Sequence, residues 1–87
     1  MKHVKRLTVA SKQGLHARPA AIFVETANKF ASKVTVKKAD YEVSGKSILN
    51  ILTLGVECGD EIVLEVEGED AEEAIQLLEE VLTRKHV

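Results

Sequence analysis

Aromatic side chains are nearly missing from this 87-residue chain, which has one Tyr, two Phe and no Trp. The core must therefore be aliphatic, and a sheet that stacks RNA bases on two or three aromatics is not available to it. Cysteine is scarcer still. Cys58 is alone, so no internal disulfide forms, and one thiol without His or Cys ligands beside it makes no metal site. Its acidic neighbours Glu57, Asp60 and Glu61 disfavour a nucleophilic thiolate. Positive charge is not in excess: 12 Lys and Arg against 14 Asp and Glu leave a formal charge of −2. That argues against nucleic-acid binding, which depends on clustered cations, and a partner carrying phosphate would need a local positive site. No stretch approaches the roughly 18 apolar residues of a membrane span. The start MKHVKRLTV has no apolar run followed by a small-residue cleavage site. A cytoplasmic protein without membrane insertion is expected.

What is present is an ordinary globular composition, 45% apolar and 30% charged, with one proline and five glycines. The length suits one domain over residues 1–87, able to bury about 60–65% of its unfolded surface. His3 to Val9 alternates as a first strand. From Ala17 the apolar residues Ala20, Phe23, Val24, Ala27 and Phe30 fall at helical spacing, and a proline in the first turn does no harm because its N–H would have no intrahelical partner. Lys33 to Asp40 alternates as a strand with Val34 and Val36 on one face, and Tyr41 to Val43 suggests a short third strand. Ser47 to Leu54 fits a buried strand or a short helix. Ser47 as N-cap and Gly55 as stop favour the helix.

Glu61 to Glu67 alternates cleanly, with Ile62, Leu64 and Val66 directed inward. Asp70-Ala71-Glu72-Glu73 has capping-box spacing ahead of a helix with the stripe Ala71, Ala74, Ile75, Leu78, Val81 and Leu82. Arg84 and Lys85 suit the negative end of its dipole. The order β-α-β-β-α-β-α implies an α+β fold, a four-stranded antiparallel sheet covered on one face by three helices. The other face is left to water. His3 and His86, near the ends of the chain, are expected to be solvated.

The chemically unusual stretch is Gly14-Leu15-His16-Ala17-Arg18-Pro19-Ala20-Ala21, where a loop gives way to a helix. A helix N-terminus offers unpaired N–H groups and a positive partial charge, and Arg18 adds a planar cationic donor, so together they suit phosphate. His16, just ahead of the first turn, could accept a phosphoryl group and leave the new charge facing those donors. The same positive groups disfavour imidazolium and keep a nucleophilic nitrogen available. They also stabilise the phosphoryl group while it is spread over three oxygens in transfer. A histidine beside a helix start also serves as a plain cap or faces water, and the spacing alone does not separate these readings.

GLHARPAA, together with the second stretch Gly45-Lys46-Ser47-Ile48-Leu49-Asn50-Ile51-Leu52-Thr53-Leu54-Gly55, resembles the HPr family. These are the histidine-containing phosphocarriers of the bacterial phosphoenolpyruvate:sugar phosphotransferase system. The resemblance spans nearly the whole chain and implies an open-faced β-sandwich. It implies that His16 is phosphorylated on Nδ1 by phospho-enzyme I and passes the group to IIA domains of sugar permeases. Arg18 and the backbone N–H groups of Ala17 and Arg18 would stabilise the phosphoryl group, with no metal or other cofactor at the carrier. Ser47 falls on the family's regulatory serine, the target of a dedicated ATP-dependent kinase, and a catabolite-control repressor is a further implied partner. If Ser47 lay near His16, its phosphate would repel an acidic partner surface. Ile48, Leu49 and Leu52 match an exposed docking patch, and a helix this short cannot bury all its apolar residues on one stripe. A monomer is expected.

Asn50 stands in place of a glycine, Leu49 and Leu52 in place of methionines, and Ala21 in place of a threonine common in Gram-positive members. These departures bear on the kinase and repressor contacts more than on the carrier role. The presence of His16 excludes a regulatory paralogue that has lost the histidine. Other readings are a carrier of the nitrogen-related branch, a small anion- or RNA-binding α+β module, and a hydrolase using His16 as general base. The last lacks an acid or serine partner within the motif.

Overall fold

Alternation of apolar and polar residues builds the sheet. A computed structural model describes residues 1–84 of the chain. It contains β1 (Lys2–Thr8), α1 (Ala17–Ala27), β2 (Lys33–Lys38), β3 (Tyr41–Ser44), α2 (Ile48–Leu54), β4 (Glu61–Glu67) and α3 (Ala71–Thr83). The four strands form one antiparallel sheet in the order β1-β4-β2-β3. β4, the most regularly alternating segment, is paired on both sides: Leu64 lies opposite Lys5 of β1 and Val36 of β2. Its Ile62, Leu64 and Val66 are buried with Leu7, Val34 and Val36. The three helices close over this face, contributing Ala20, Phe23 and Ala27 from α1, Ile51 from α2, and Ala71, Ala74, Ile75, Leu78, Val81 and Leu82 from α3.

The opposite face is a charged ladder. Glu65 bonds Lys37 of the neighbouring strand at 2.6 Å and Lys2 at 3.4 Å. The hydrogen bond from Lys37 holds the Glu65 carboxyl below its ordinary range, and Glu65 in turn raises Lys37.

Several expectations need correction at the element ends. Phe30 lies beyond α1, in the turn after Asn28, where it is half-buried against the core. β2 stops at Lys38 because residues 39 and 40 form the turn into β3, with Ala39 at φ +54°. Asp70 occupies the N-cap of α3 without capping it. Its carboxylate instead accepts from the N–H groups of Ala31 and Ser32, at 2.9 and 3.0 Å, and from the Ser32 hydroxyl. It ties the start of α3 to the loop after α1. Those bonds, the Ser32 hydroxyl first and the Ala31 N–H next, hold its pKa below the ordinary carboxylate value. Arg84 is the C-cap of α3 and not part of its last turn. Lys85 and His86 fall outside the described residues. His3 is half-buried, and its Nε2 is buried with no hydrogen-bond partner among the described residues.

Candidate functional site

Thr8, the last residue of β1, is paired with Glu61, the first of β4. The chain leaving β1 and the chain entering β4 therefore share one end of the sheet, and they hold each other there. Val9 N–H donates to Asp60 O at 2.9 Å, Gly59 N–H to Val9 O at 2.8 Å, and Leu15 N–H to Val56 O at 2.9 Å. Leu15 and Val56 are both buried beneath this contact. Gly14 has φ +61°, and a Cβ there would strike the Val56 carbonyl and stand 2.7 Å from Glu57 Cα. This close approach is what the glycine before Leu15 permits.

His16 follows as the N-cap of α1, extended at φ −106° and ψ 159°, and its side chain makes no cap hydrogen bond. The ring is free to face outward, and the side chain is 45% exposed. Ala17 turns the chain into the helix at φ +36°, a conformation that costs a non-glycine residue free energy and that collects at functional sites. Pro19 is buried in the first turn. Among the described residues, neither the Ala17 nor the Arg18 N–H has a protein acceptor. Arg18 is exposed and enters no ion pair among those residues. Imidazole, two unpaired amides and a guanidinium thus lie within three consecutive residues, as the motif led one to expect.

A group that the motif does not contain joins them. Glu57 Oε2 lies 3.0 Å from His16 Nε2, so the ring faces a carboxylate. Sequence reasoning missed it because the two residues are 41 positions apart and neither stretch carries a local pattern naming the other. The turn that holds Glu57 is itself braced. Its N–H donates to Asp60 Oδ2 at 2.8 Å, and Asp60 pairs with Lys38 Nζ at 2.9 Å. Lys38 also donates to Gly55 O at 2.7 Å. The Asp60 carboxyl is held below its ordinary pKa, first by the Glu57 N–H and then by Lys38. Cys58 is exposed on the same turn, with Sγ 3.9 Å from Ala10 O. Among the described residues no cluster of His, Cys, Asp and Glu could hold a metal, and no helix is long and apolar enough to cross a membrane.

Ser47 caps α2 as expected, its side chain accepting from the Asn50 N–H at 3.4 Å, and Gly55 ends the helix in the left-handed region at φ 68°. The fold does not bring Ser47 beside His16. Lys46 O takes a bond from Asn28 at the far end of α1, at 3.2 Å, whereas Val56, just past the other end of α2, bonds to Leu15. The seven residues of α2, roughly 10 Å of helix, separate serine and histidine. On the outer side of α2, Ile48, Leu49 and Leu52 are 37%, 71% and 37% exposed, while Ile51 is buried beneath them.

Residues 4–84 match the family model described as the PTS HPr component phosphorylation site. The chain is 43% identical to the HPr-like protein Crh of Bacillus subtilis, over 85% of this chain and 87% of that protein. It is 44% identical to the phosphocarrier protein HPr of Haloferax volcanii, with 91% of each covered. The crystal structure of a phosphocarrier protein HPr from Bacillus anthracis superposes with a TM-score of 0.91 at 41% identity, covering 93% of this chain and 96% of that one.

Proposed function

This chain belongs to the HPr family, and from that premise we propose that it carries phosphoryl groups on His16 between phospho-enzyme I and the IIA domains of sugar permeases. The observation that carries the proposal is a half-exposed imidazole at the N-cap of α1, its own side chain not engaged in capping, directly ahead of two amides and a guanidinium that have no partner among the described residues. In transfer, the Nδ1 lone pair forms the N–P bond as the donor's bond to phosphorus breaks. The Ala17 and Arg18 N–H groups and the Arg18 side chain receive the charge on the equatorial oxygens. Because these donors sit at an open surface, the group stays accessible to the next acceptor.

Ile48, Leu49 and Leu52 form the docking patch in this reading, an exposed apolar cluster of the kind that marks partner surfaces. Ser47 is the regulatory position. Its phosphate would act on that patch, since the serine lies at the far end of α2 and not against the imidazole. The likeness to Crh supports a second reading, service in catabolite regulation through Ser47.

Incubation with phosphoenolpyruvate and enzyme I should give an acid-labile, alkali-stable phosphoryl group that is absent from His16→Ala. No labelling of the natural chain, or undiminished labelling of H16A, removes the carrier reading. Labelling only at Ser47, by a serine kinase with ATP, selects the second.

A further inference from the structure

We propose that Glu57 is a positioning residue for the phosphoryl transfer, holding the His16 ring with Nε2–H toward its carboxylate so that Nδ1 keeps the lone pair. The chemical consequence rests on the carrier reading above; the ring geometry does not.

The argument begins with the bond of 3.0 Å between His16 Nε2 and Glu57 Oε2. An ionised carboxylate only accepts, so the proton of this bond belongs to Nε2. A neutral imidazole has one N–H, and Nδ1 is then the nitrogen left with a free electron pair. His16 therefore meets phosphorus with Nδ1 by virtue of a residue outside its own motif. The position of Glu57 is not left to its flexible side chain alone. Leu15 N–H on Val56 O, the contact of Gly14 with the 56–57 backbone, and the Glu57–Asp60–Lys38–Gly55 bonds fix its Cα beside the histidine. His16 is the only ion-pair partner of Glu57 among the described residues.

The same contact serves both directions of transfer with no proton in motion. When Nδ1 attacks, its lone pair becomes the N–P bond and the ring becomes a cationic phosphoimidazolium still protonated at Nε2. The Glu57 carboxylate faces that new positive charge. When the next acceptor takes the group, the N–P electron pair returns to Nδ1 and the ring leaves as neutral imidazole, the tautomer it started from. Without a proton on Nε2 the leaving group would be imidazolate, a far poorer one. A carboxylate behind an imidazole sets tautomer and stabilises imidazolium in this way in other catalytic settings. The other charged or titratable groups on the surrounding segments include Lys12 in the loop before His16, Arg18 on α1, Cys58 on the same turn, and the Asp60–Lys38 pair behind Glu57.

The test compares the natural chain with Glu57→Gln, which removes the charge but keeps the shape, and Glu57→Ala. The Glu57 side chain is 64% exposed, so both variants should fold, which thermal melting checks. Nitrogen NMR of the unphosphorylated ring reads the tautomer without any transfer partner. The natural chain should show the Nε2–H form alone, and Glu57→Ala should show an added Nδ1–H population. With enzyme I and phosphoenolpyruvate, both variants should still label at His16 with unchanged KM for the carrier. Their kcat, and the rate of onward transfer to a IIA domain, should fall by about 1.4-fold to fivefold, the range for an exposed ion pair. A mixed tautomer in the natural chain, an unchanged tautomer in Glu57→Ala, or unchanged or faster transfer in Glu57→Gln would each overturn the proposal. If the natural chain shows the Nε2–H form but takes no label, the carrier reading fails and the ring geometry stands.

Discussion

Gly14 shows at the scale of one residue how the His16 loop is held. It combines φ +61° with a carbonyl pressed against the place where a Cβ would be. Gly14→Ala meets both penalties, a left-handed backbone and a clash with the chain at 56–57, and should cost about 1–3 kcal/mol in chemical denaturation. Because the displaced partner carries Glu57, the variant should also take phosphoryl label more slowly than its fraction folded explains. A loss of stability with labelling in proportion to folded protein would show that the glycine serves packing only. The glycine's presence was plain in the motif. Its reason was not, since the colliding atoms come from a turn 42 positions later.

Asp70 makes the case at the scale of elements. Its spacing before Glu72 and Glu73 reads as a capping box, yet the carboxylate crosses to the Ala31 and Ser32 amides and joins α3 to the loop after α1. A local pattern cannot distinguish these uses, because both satisfy backbone donors with the same oxygens. The bonds lower the folded-state pKa below the ordinary 3.8. The stability they confer is therefore present in full above the unfolded value and is lost as pH falls through the lower, folded one. Asp70→Asn should unfold at lower urea than the natural chain at pH 7, and the gap should close in acid below both values. A gap independent of pH would mean that shape, not charge, supplies the effect.

Ser47, by contrast, does what its place in the sequence says. Ser47→Ala removes the cap on α2 and should cost about 1 kcal/mol, read as a shift in urea midpoint with unchanged slope. A cost near zero would mean that the long bond to Asn50 contributes nothing.

Over the whole molecule, the scarcity of aromatics concentrates the core on one ring. Phe23, fully buried, faces the aliphatic sheet from α1. Chains of this size are stable by about 4–13 kcal/mol, at roughly 0.05–0.15 kcal/mol per residue. Phe23→Ala should cost about 3–5 kcal/mol, a large share of that total. Its thermal transition should fall steeply while the His16 site, where folded, still labels. A variant that keeps the melting temperature would show that the core closes over the gap.

The sequence by itself determined the elements and their buried faces. β4 was legible to the residue, and so were the α3 stripe, the Ser47 and Gly55 ends of α2, and the placing of His16 ahead of α1. These are set by neighbours two, three or four positions away, whose periodicity decides which side avoids water. Only the tertiary structure decided what meets across the chain. It put Glu57 on the imidazole, Asp70 on the Ala31 loop, and the full length of α2 between Ser47 and His16. Antiparallel pairing of β1 with β4 brings the 9–16 and 55–60 segments to one end of the sheet. Such encounters follow from strand order and register, which arise when the core closes and leave no mark within any single stretch.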